Sequence, residues 1–222
     1  MRIIDLSLTM RPHMRGIAWD TAHTLANNEW NARTLHLYSH ATTHMDAHRH
    51  FFEQGHSIEH LYLAKSVGPA WVIDVGVLEP CELITVNHLC DGAERIEPGD
   101  RVLLPSCWSA RIDIPTYRDD LPRISVELSH FFAKRLIALV GVEPLSVAAV
   151  DDIEEITVVH QNLLQASIVI VEGLTKMEGC DGTSVRAIVI ESFIDKILSD
   201  GAEKADEIAY KKVKNIKKII GF

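Results

Sequence analysis

The stretch "HATTHMDAHRH", residues 40–50, sets four imidazoles and a carboxylate within eleven positions. It sits inside a longer run, residues 36–60, that holds seven of the chain's twelve histidines. Its side-chain period decides what it builds. In an extended backbone alternate side chains share a face, so His40, Thr42, His44, Asp46, His48 and His50 project together while Ala41, Thr43, Met45 and Ala47 turn the other way, into a core. A helix would instead stack His40 on His44, or His44 on His48, one turn apart. The β-branched pair Thr42–Thr43 and the alternation of the preceding "RTLHLYSH" (33–40) favour the strand. Met45 follows His44, so the HExxH pattern of a zincin helix is absent.

Imidazole with carboxylate is a donor set for Zn²⁺, and also for Mn²⁺ or Fe²⁺; added oxygen ligands move the balance towards Mn²⁺. The competing reading is a solvated polar face. An open catalytic site collects donors from more than one element, and two candidates lie far along the chain. Glu172 closes the apolar run Ile168–Val171, where a buried carboxylate needs a partner. His160, in "VVHQNLL", is likewise polar among apolar neighbours.

Outward from these residues, 222 positions with 47% hydrophobic and 24% charged residues suit one domain, 1–222, that buries a core without metal or disulfide staples. Metal ligands would therefore serve chemistry. A formal charge of −9, from 31 acids against 22 bases, argues against a nucleic-acid surface and for a small-molecule partner. No apolar run reaches bilayer-spanning length, and "MRIIDLSLTM", interrupted by Asp5, is too short for a signal peptide. Cys81, Cys90, Cys107 and Cys180 show no CxxC spacing, which reads as free thiols in a reducing cytoplasm.

Period-two or buried apolar runs predict strands at "RIIDLSL" (2–8), 33–40, 69–78, 101–105 after the turn "EPGD", 166–174 and 184–193. A helix is expected from Val126 to near Gly141. Residues 201–222 read as a C-terminal amphipathic helix with a solvated lysine face. Residues 8–32 show no period and read as a long active-site or dimer loop, with Trp19 and Trp30 packing against something. Strands mixed with helices imply an α/β class.

With these residues in view, the chain resembles the cyclase-like family of metal-dependent hydrolases, which includes bacterial kynurenine formamidases and isatin hydrolase. The family's His-x-Gly-Thr-His-x-Asp-x-Pro-x-His signature is matched by His40, Thr43, His44, Asp46 and His50. "VVHQNLLQASIVIVEGL" (158–174) is similar to the family's second block and "GIAWD" (16–20) to its tryptophan segment. The resemblance implies a swivelling β/β/α domain, a mixed sheet or partly closed barrel with flanking helices, and a homodimer or higher homo-oligomer. It implies two divalent cations, zinc first and manganese second, with His40 and His44 on one, His160 on the other, and Asp46 and Glu172 shared. His50 would be the proton shuttle and Trp19 would border an amide or cyclic-amide substrate, giving arylformamidase-like hydrolysis. The chemistry is coherent: paired cations lower the pKa of shared water from about 15.7 to roughly 7. An imidazole of intrinsic pKa about 6.5 can then protonate the departing nitrogen.

Three departures stand out. Thr42 occupies the signature's glycine position and His48 its proline position. Asp181 follows Glu172 by only nine positions, where relatives carry a further strand, so one strand is expected to be missing and the 201–222 helix to cover the edge. Glu53, His56, Ser57 and His60 are expected at the surface or pocket rim, Cys107 as a buried thiol and Trp108 as a packing indole. Ser125 and Ser146 lack a nucleophile elbow. A cupin-type metal oxygenase, suggested by "HRHFFE" and "EPGD", and a non-catalytic metal- or ligand-binding protein are the alternatives.

Overall fold

A computed structural model describes residues 4–12 and 14–180, together with the backbone of 185–188. In chain order its elements are β1 (Ile17–His23), α1 (Leu25–Asn28), β2 (Ala32–Leu37), β3 (His44–Asp46), β4 (Val67–Val72), β5 (Leu83–Ile84), α2 (Gly92–Arg95), β6 (Arg101–Leu104), β7 (Arg123–Ile124), α3 (Val126–Arg135), β8 (Leu139–Val142), α4 (Ile153–Gln165), β9 (Val169–Glu172) and β10 (Val185–Ile188).

The runs "VLL" (102–104), "LVGV" (139–142) and "VIV" (169–171) are short and apolar at every position. Such strands need cover on both faces. They form the middle of a six-stranded mixed sheet of order β10-β4-β6-β8-β9-β3, in which β4, β6, β8 and β9 are parallel and the two edge strands antiparallel. Alternation divides their side chains between two cores. Val102, Leu104, Val140, Val142 and Ile170 join Phe132, Val159 and Leu163 of the helices on one face. Leu103, Leu139, Val169 and Val171 join Met45, Ile58 and Met177 on the other. The fold is thus mixed α/β with flanking helices, and the sheet is open among the described residues, which removes the barrel on which a cupin reading leaned.

The helices have clear punctuation. Ser125 caps α3 by accepting the Leu128 amide at 3.1 Å, and Asp152 caps α4 by accepting those of Glu154 and Glu155, each at 3.0 Å. The α3 helix ends earlier than expected: Leu136 takes a left-handed φ of 54°, and residues that looked helical become β8. A glycine stop was awaited at Gly141, but the leucine turns without one.

Other expectations are corrected here. Residues 8–32 are no structureless loop, because β1 pairs antiparallel with β2, setting Trp19 opposite Leu35, and α1 forms the connection. Both faces of β1 are largely exposed, so selection for burial left no apolar period to read there, whereas β2 falls on the strand expected at 33–40. Residues 40–50 are a strand only at His44–Asp46; His48–His50 form a 3₁₀ turn. The described part of 2–8 contributes one isolated bridge, Ser7 to Leu174, and the strand begun near Pro69 ends at Val72. Residues 153–165, left without an element by the sequence reading, are α4. Of 184–193, Val185–Ile188 form an edge strand on β4; Asp181 and the 201–222 helix lie outside the described residues.

Candidate metal centre

The β3 strand lies antiparallel to β9 with His44 directly opposite Glu172. Cross-strand partners have Cβ atoms about 5 Å apart, so this register alone brings an imidazole to a carboxylate. Asp46 lies two residues on and shares the face of His44. The third contribution comes from α4, which packs on β9 and holds His160 in its buried stripe with Val159, Leu163 and Leu164. His40 arrives from the turn before β3 and His50 from the 3₁₀ turn after it.

His44, Asp46, His160 and Glu172 are all nearly inaccessible to solvent. His44 Nε2 lies 3.0 Å from Glu172 Oε2 and 3.8 Å from Asp46 Oδ1. His40 Nδ1 is 3.2 Å from Asp46 Oδ1, while His160 Nε2 is 3.4 Å from Asp46 Oδ2 and 3.7 Å from Glu172 Oε1. The ring of His50 stands 4.3 Å from that of His40 and 5.6 Å from that of His160. Donor atoms within 4.8 Å of one another fall into two groups, His40–His44–Asp46–Glu172 and Asp46–His50–His160, with Asp46 common to both.

Whether these residues fit a cation is decided by their lone pairs. His44 Nδ1 lies 2.9 Å from the Thr42 carbonyl and His160 Nδ1 2.7 Å from that of Ile156. A carbonyl only accepts, so each ring donates through Nδ1–H and a neutral ring leaves Nε2 as a bare lone pair aimed at the carboxylates. His40 Nδ1 sits 3.0 Å from His44 Nε2, nitrogen facing nitrogen. Both Asp46 oxygens are buried without a hydrogen-bond partner, since the nearby ring nitrogens are close but not aligned on them. Several lone pairs converge on one buried volume, an arrangement that requires positive charge at its centre. The donor set fits one or more divalent cations.

The electrostatics agree. Burial works to lower the His44 pKa, but Glu172, by hydrogen bond and charge, and then Asp46 lift it to about 9. Burial likewise opposes protonation of His160, and Asp46 and Glu172 raise it to about 10. On Asp46, burial pushes upward and is outweighed by His160 and His40, which hold the carboxyl below the usual carboxylate range. On Glu172, burial and the Asp46 charge push upward and are outweighed by His160 and His44, so its pKa falls. Without a metal the cluster recruits protons. His50 differs: desolvation of its inward face lowers its pKa although the residue is exposed, with Asp46 pulling the other way.

The structure brings His40, His44, Asp46, His50, His160 and Glu172 together and leaves Trp19 apart. Trp19 sits on the β1–β2 hairpin under the Arg33 guanidinium, 5.1 Å from its ring centroid, and lines neither described cavity. His48 packs flat on Phe52, rings 4.4 Å apart, and with His56, Ser57 and His60 lines a cavity of about 240 Å³; Glu53 is exposed. Thr42 does hold the glycine-type conformation, φ 58°, with its hydroxyl buried and unpartnered. Trp108 is buried and its indole N–H donates to the Tyr117 carbonyl at 3.0 Å, but Cys107 is exposed, not buried: its left-handed φ of 57° turns the thiol outward. Sequence reasoning missed the Val147 amide, which donates to Glu172 Oε1 at 2.6 Å, and the Thr42 and Ile156 carbonyls that orient the rings. Backbone groups carry no residue signature. A larger cavity of about 760 Å³ opens at His40 and Thr42 between the N-terminal segment and residues 112–118.

No helix among the described residues is long and apolar enough to cross a membrane. Residues 4–149 match the family described as "Putative cyclase". The kynurenine formamidase of Salinibacter ruber is 29% identical over 215 residues, covering 85% of this chain and 97% of that protein. That of Bacillus anthracis is 30% identical over 154 residues, 68% of each chain. Among solved structures, isatin hydrolase A from Ralstonia solanacearum superposes with a TM-score of 0.66 at 18% identity, covering 86% of each chain. An isatin hydrolase bound to the product analogue thioisatinate superposes at 0.70 with 14% identity, covering 85% of this chain and 86% of that one.

Proposed function

Because the chain belongs to the cyclase family, we propose that it is a metal-dependent hydrolase that cleaves the C–N bond of an amide or cyclic amide, with an arylformamidase-like reaction as its activity. One observation carries this reading: three imidazoles and two carboxylates from four separate segments converge at a buried point where both Asp46 oxygens lack hydrogen-bond partners. In this reading His40 and His44 would hold one divalent cation and His160 a second, with Asp46 and Glu172 available to both. Zinc is the first choice for this nitrogen-rich set and manganese the second.

Bound cations supply a nucleophile at neutral pH by lowering the pKa of coordinated water to roughly 7. The chain's own residues do the rest. The Thr42 and Ile156 carbonyls hold His44 and His160 with Nε2 inward, and the Val147 amide fixes one Glu172 oxygen. His50, open to solvent on one side and beside His40 on the other, carries the proton from the attacking water to the departing nitrogen as the C–N bond breaks. Its place in the second donor group makes ligation its competing role. The substrate enters through the cavity at His40.

We further propose a homodimer built on the β1–β2 hairpin, whose Trp30, Leu35 and Tyr38 are more than half exposed, with Trp19 bordering the neighbouring copy's cavity. Analytical ultracentrifugation tests it. The reaction is tested by stripping the protein, reloading it with zinc or manganese, and measuring metal content with hydrolysis of formanilide and N-formylkynurenine. Two cations per chain with turnover is the expected result. Metal without hydrolysis of either amide would instead make the chain a binding protein, and a single cation distant from Glu172 would remove the binuclear arrangement.

A further inference from the structure

The cavity at His40 carries a charge pattern that the metal centre does not use. The chain as a whole has nine more acids than bases, yet the residues lining this cavity include three arginines, Arg11, Arg15 and Arg118, against a single acid, Asp113. The pairing among them is uneven. Arg11 is satisfied by Asp113, to which its Nη1 and Nη2 donate at 3.4 and 2.7 Å. Arg15 and Arg118 have one oxygen between them: Asp119 Oδ1 lies 3.4 Å from Arg15 Nη1 and 3.5 Å from Arg118 Nη1. Asp119 does not line the cavity. Each guanidinium offers five N–H donors, and two guanidiniums on one carboxylate leave a unit of positive charge and most of those donors unmatched among the described residues.

Between the arginines and His40 the wall is apolar and aromatic, with Tyr38, Ile112, Ile114, Pro115 and Leu145. A ligand that fills this space has a flat apolar body. One end meets His40, and an anionic group at the other meets the spare guanidinium donors. Arg118 is the better anchor, because its side chain is 30% exposed where that of Arg15 is 71% exposed.

We propose that Arg15 and Arg118 recognise a carboxylate on the body of the substrate, so that this enzyme selects acidic aryl amides over neutral ones. The inference rests on the amide-hydrolase reading of the same site and deepens it. It separates acidic formamides from neutral cyclic amides of similar size, because a neutral ligand would leave the surplus guanidinium charge unpaired beside it.

The test uses the metal-loaded, full-length protein and four substrates: 2-, 3- and 4-formamidobenzoate, and formanilide, which lacks the carboxylate. At least one acidic isomer is expected to show kcat/KM at least tenfold above that of formanilide, chiefly through KM. In Arg118→Gln that ratio collapses towards one; in Arg15→Gln it falls less, and in Arg118→Lys it is partly retained. Metal content and circular dichroism of each variant establish that the fold and the centre are intact. No preference in the wild type, or a preference that survives both glutamine substitutions, overturns the proposal. If none of the four is hydrolysed, carboxylate recognition is judged instead by calorimetry with 4-acetylbenzoate and acetophenone, which cannot turn over, and the hydrolase reading itself has failed when N-formylkynurenine is not hydrolysed either. Tighter binding of the acid, lost in Arg118→Gln, sustains the proposal; equal binding of the two, or tighter binding of the acid that survives the substitution, overturns it.

Discussion

Replacing Asp46 by asparagine keeps the shape of the side chain and removes its charge from the centre of the cluster. The carboxylate is fully buried, and His40 Nδ1 and His160 Nε2 stand 3.2 and 3.4 Å from its two oxygens. A unit positive charge at such a distance interacts with the carboxylate by about 5 kcal/mol at an effective dielectric constant of about 20. Asparagine also escapes the cost of burying an anion, several kcal/mol, which offsets part of that loss. A net deficit of about 3 kcal/mol remains, roughly a hundredfold in cation affinity. The amide adds to it, because one of the two oxygens becomes an NH₂ that donates and cannot ligate. Thermal unfolding with and without metal measures the result. At a metal concentration a thousand times the wild-type Kd, binding stabilises the folded state by about 4 kcal/mol, and at ten times Kd, where the variant would stand, by about 1.4 kcal/mol. For a chain of this length that is a metal-induced rise in Tm of about 12 °C in the wild type against about 4 °C in Asp46→Asn. A variant that binds zinc within threefold of the wild type, with an unchanged metal-induced shift, would refute the idea that Asp46 holds a cation at all.

His50→Ala should keep the metal stoichiometry and lose turnover by about 10²- to 10⁴-fold, the range for a positioned acid–base group; loss of a cation measured by mass spectrometry would make His50 a ligand instead. Gly173→Ala should both unfold at lower temperature and bind metal more weakly. At φ 69° a new Cβ would land 2.4 Å from the Thr42 carbonyl, beside Glu172 and against the residue that orients His44. Phe132→Ala, in the core between α3 and the sheet, should cost about 3–5 kcal/mol in denaturant unfolding while the kcat of the protein that remains folded is retained. Treatment with a chelator should lower Tm and abolish hydrolysis, both recovered by zinc or manganese; recovery of stability without activity would detach the metal from catalysis.

The candidate centre was more legible than the elements that carry it, and the reason is physical. The donors gathered at this centre are histidines and carboxylates, and those residues are conspicuous wherever they interrupt an apolar run, as Glu172 and His160 do. The alternation that placed His44 and Asp46 on one face holds, but only for three residues. The extended pattern predicted from His40 to His50 breaks on both sides, because Thr42 turns left-handed and His48 opens a 3₁₀ turn. Both breaks coincide with the signature's glycine and proline positions, which encode a turn and a strand end rather than a strand. Threonine at φ 58° is strained, by about 1–2 kcal/mol for a residue with a Cβ. That strain is held where it acts: the Thr42 carbonyl orients His44 and packs against Gly173, the residue after Glu172. Strand β2 kept the alternation read at 33–40, whereas β1 was illegible for the opposite reason. Solvent on both faces removes the apolar alternation from which a strand is read, and pairing of backbone groups leaves no mark on side-chain identity. The same holds for the carbonyls of Thr42 and Ile156 and the amide of Val147. Sequence therefore names the atoms that could touch a cation, while the backbone groups that aim them emerge only from the register of β3 on β9 and the docking of α4.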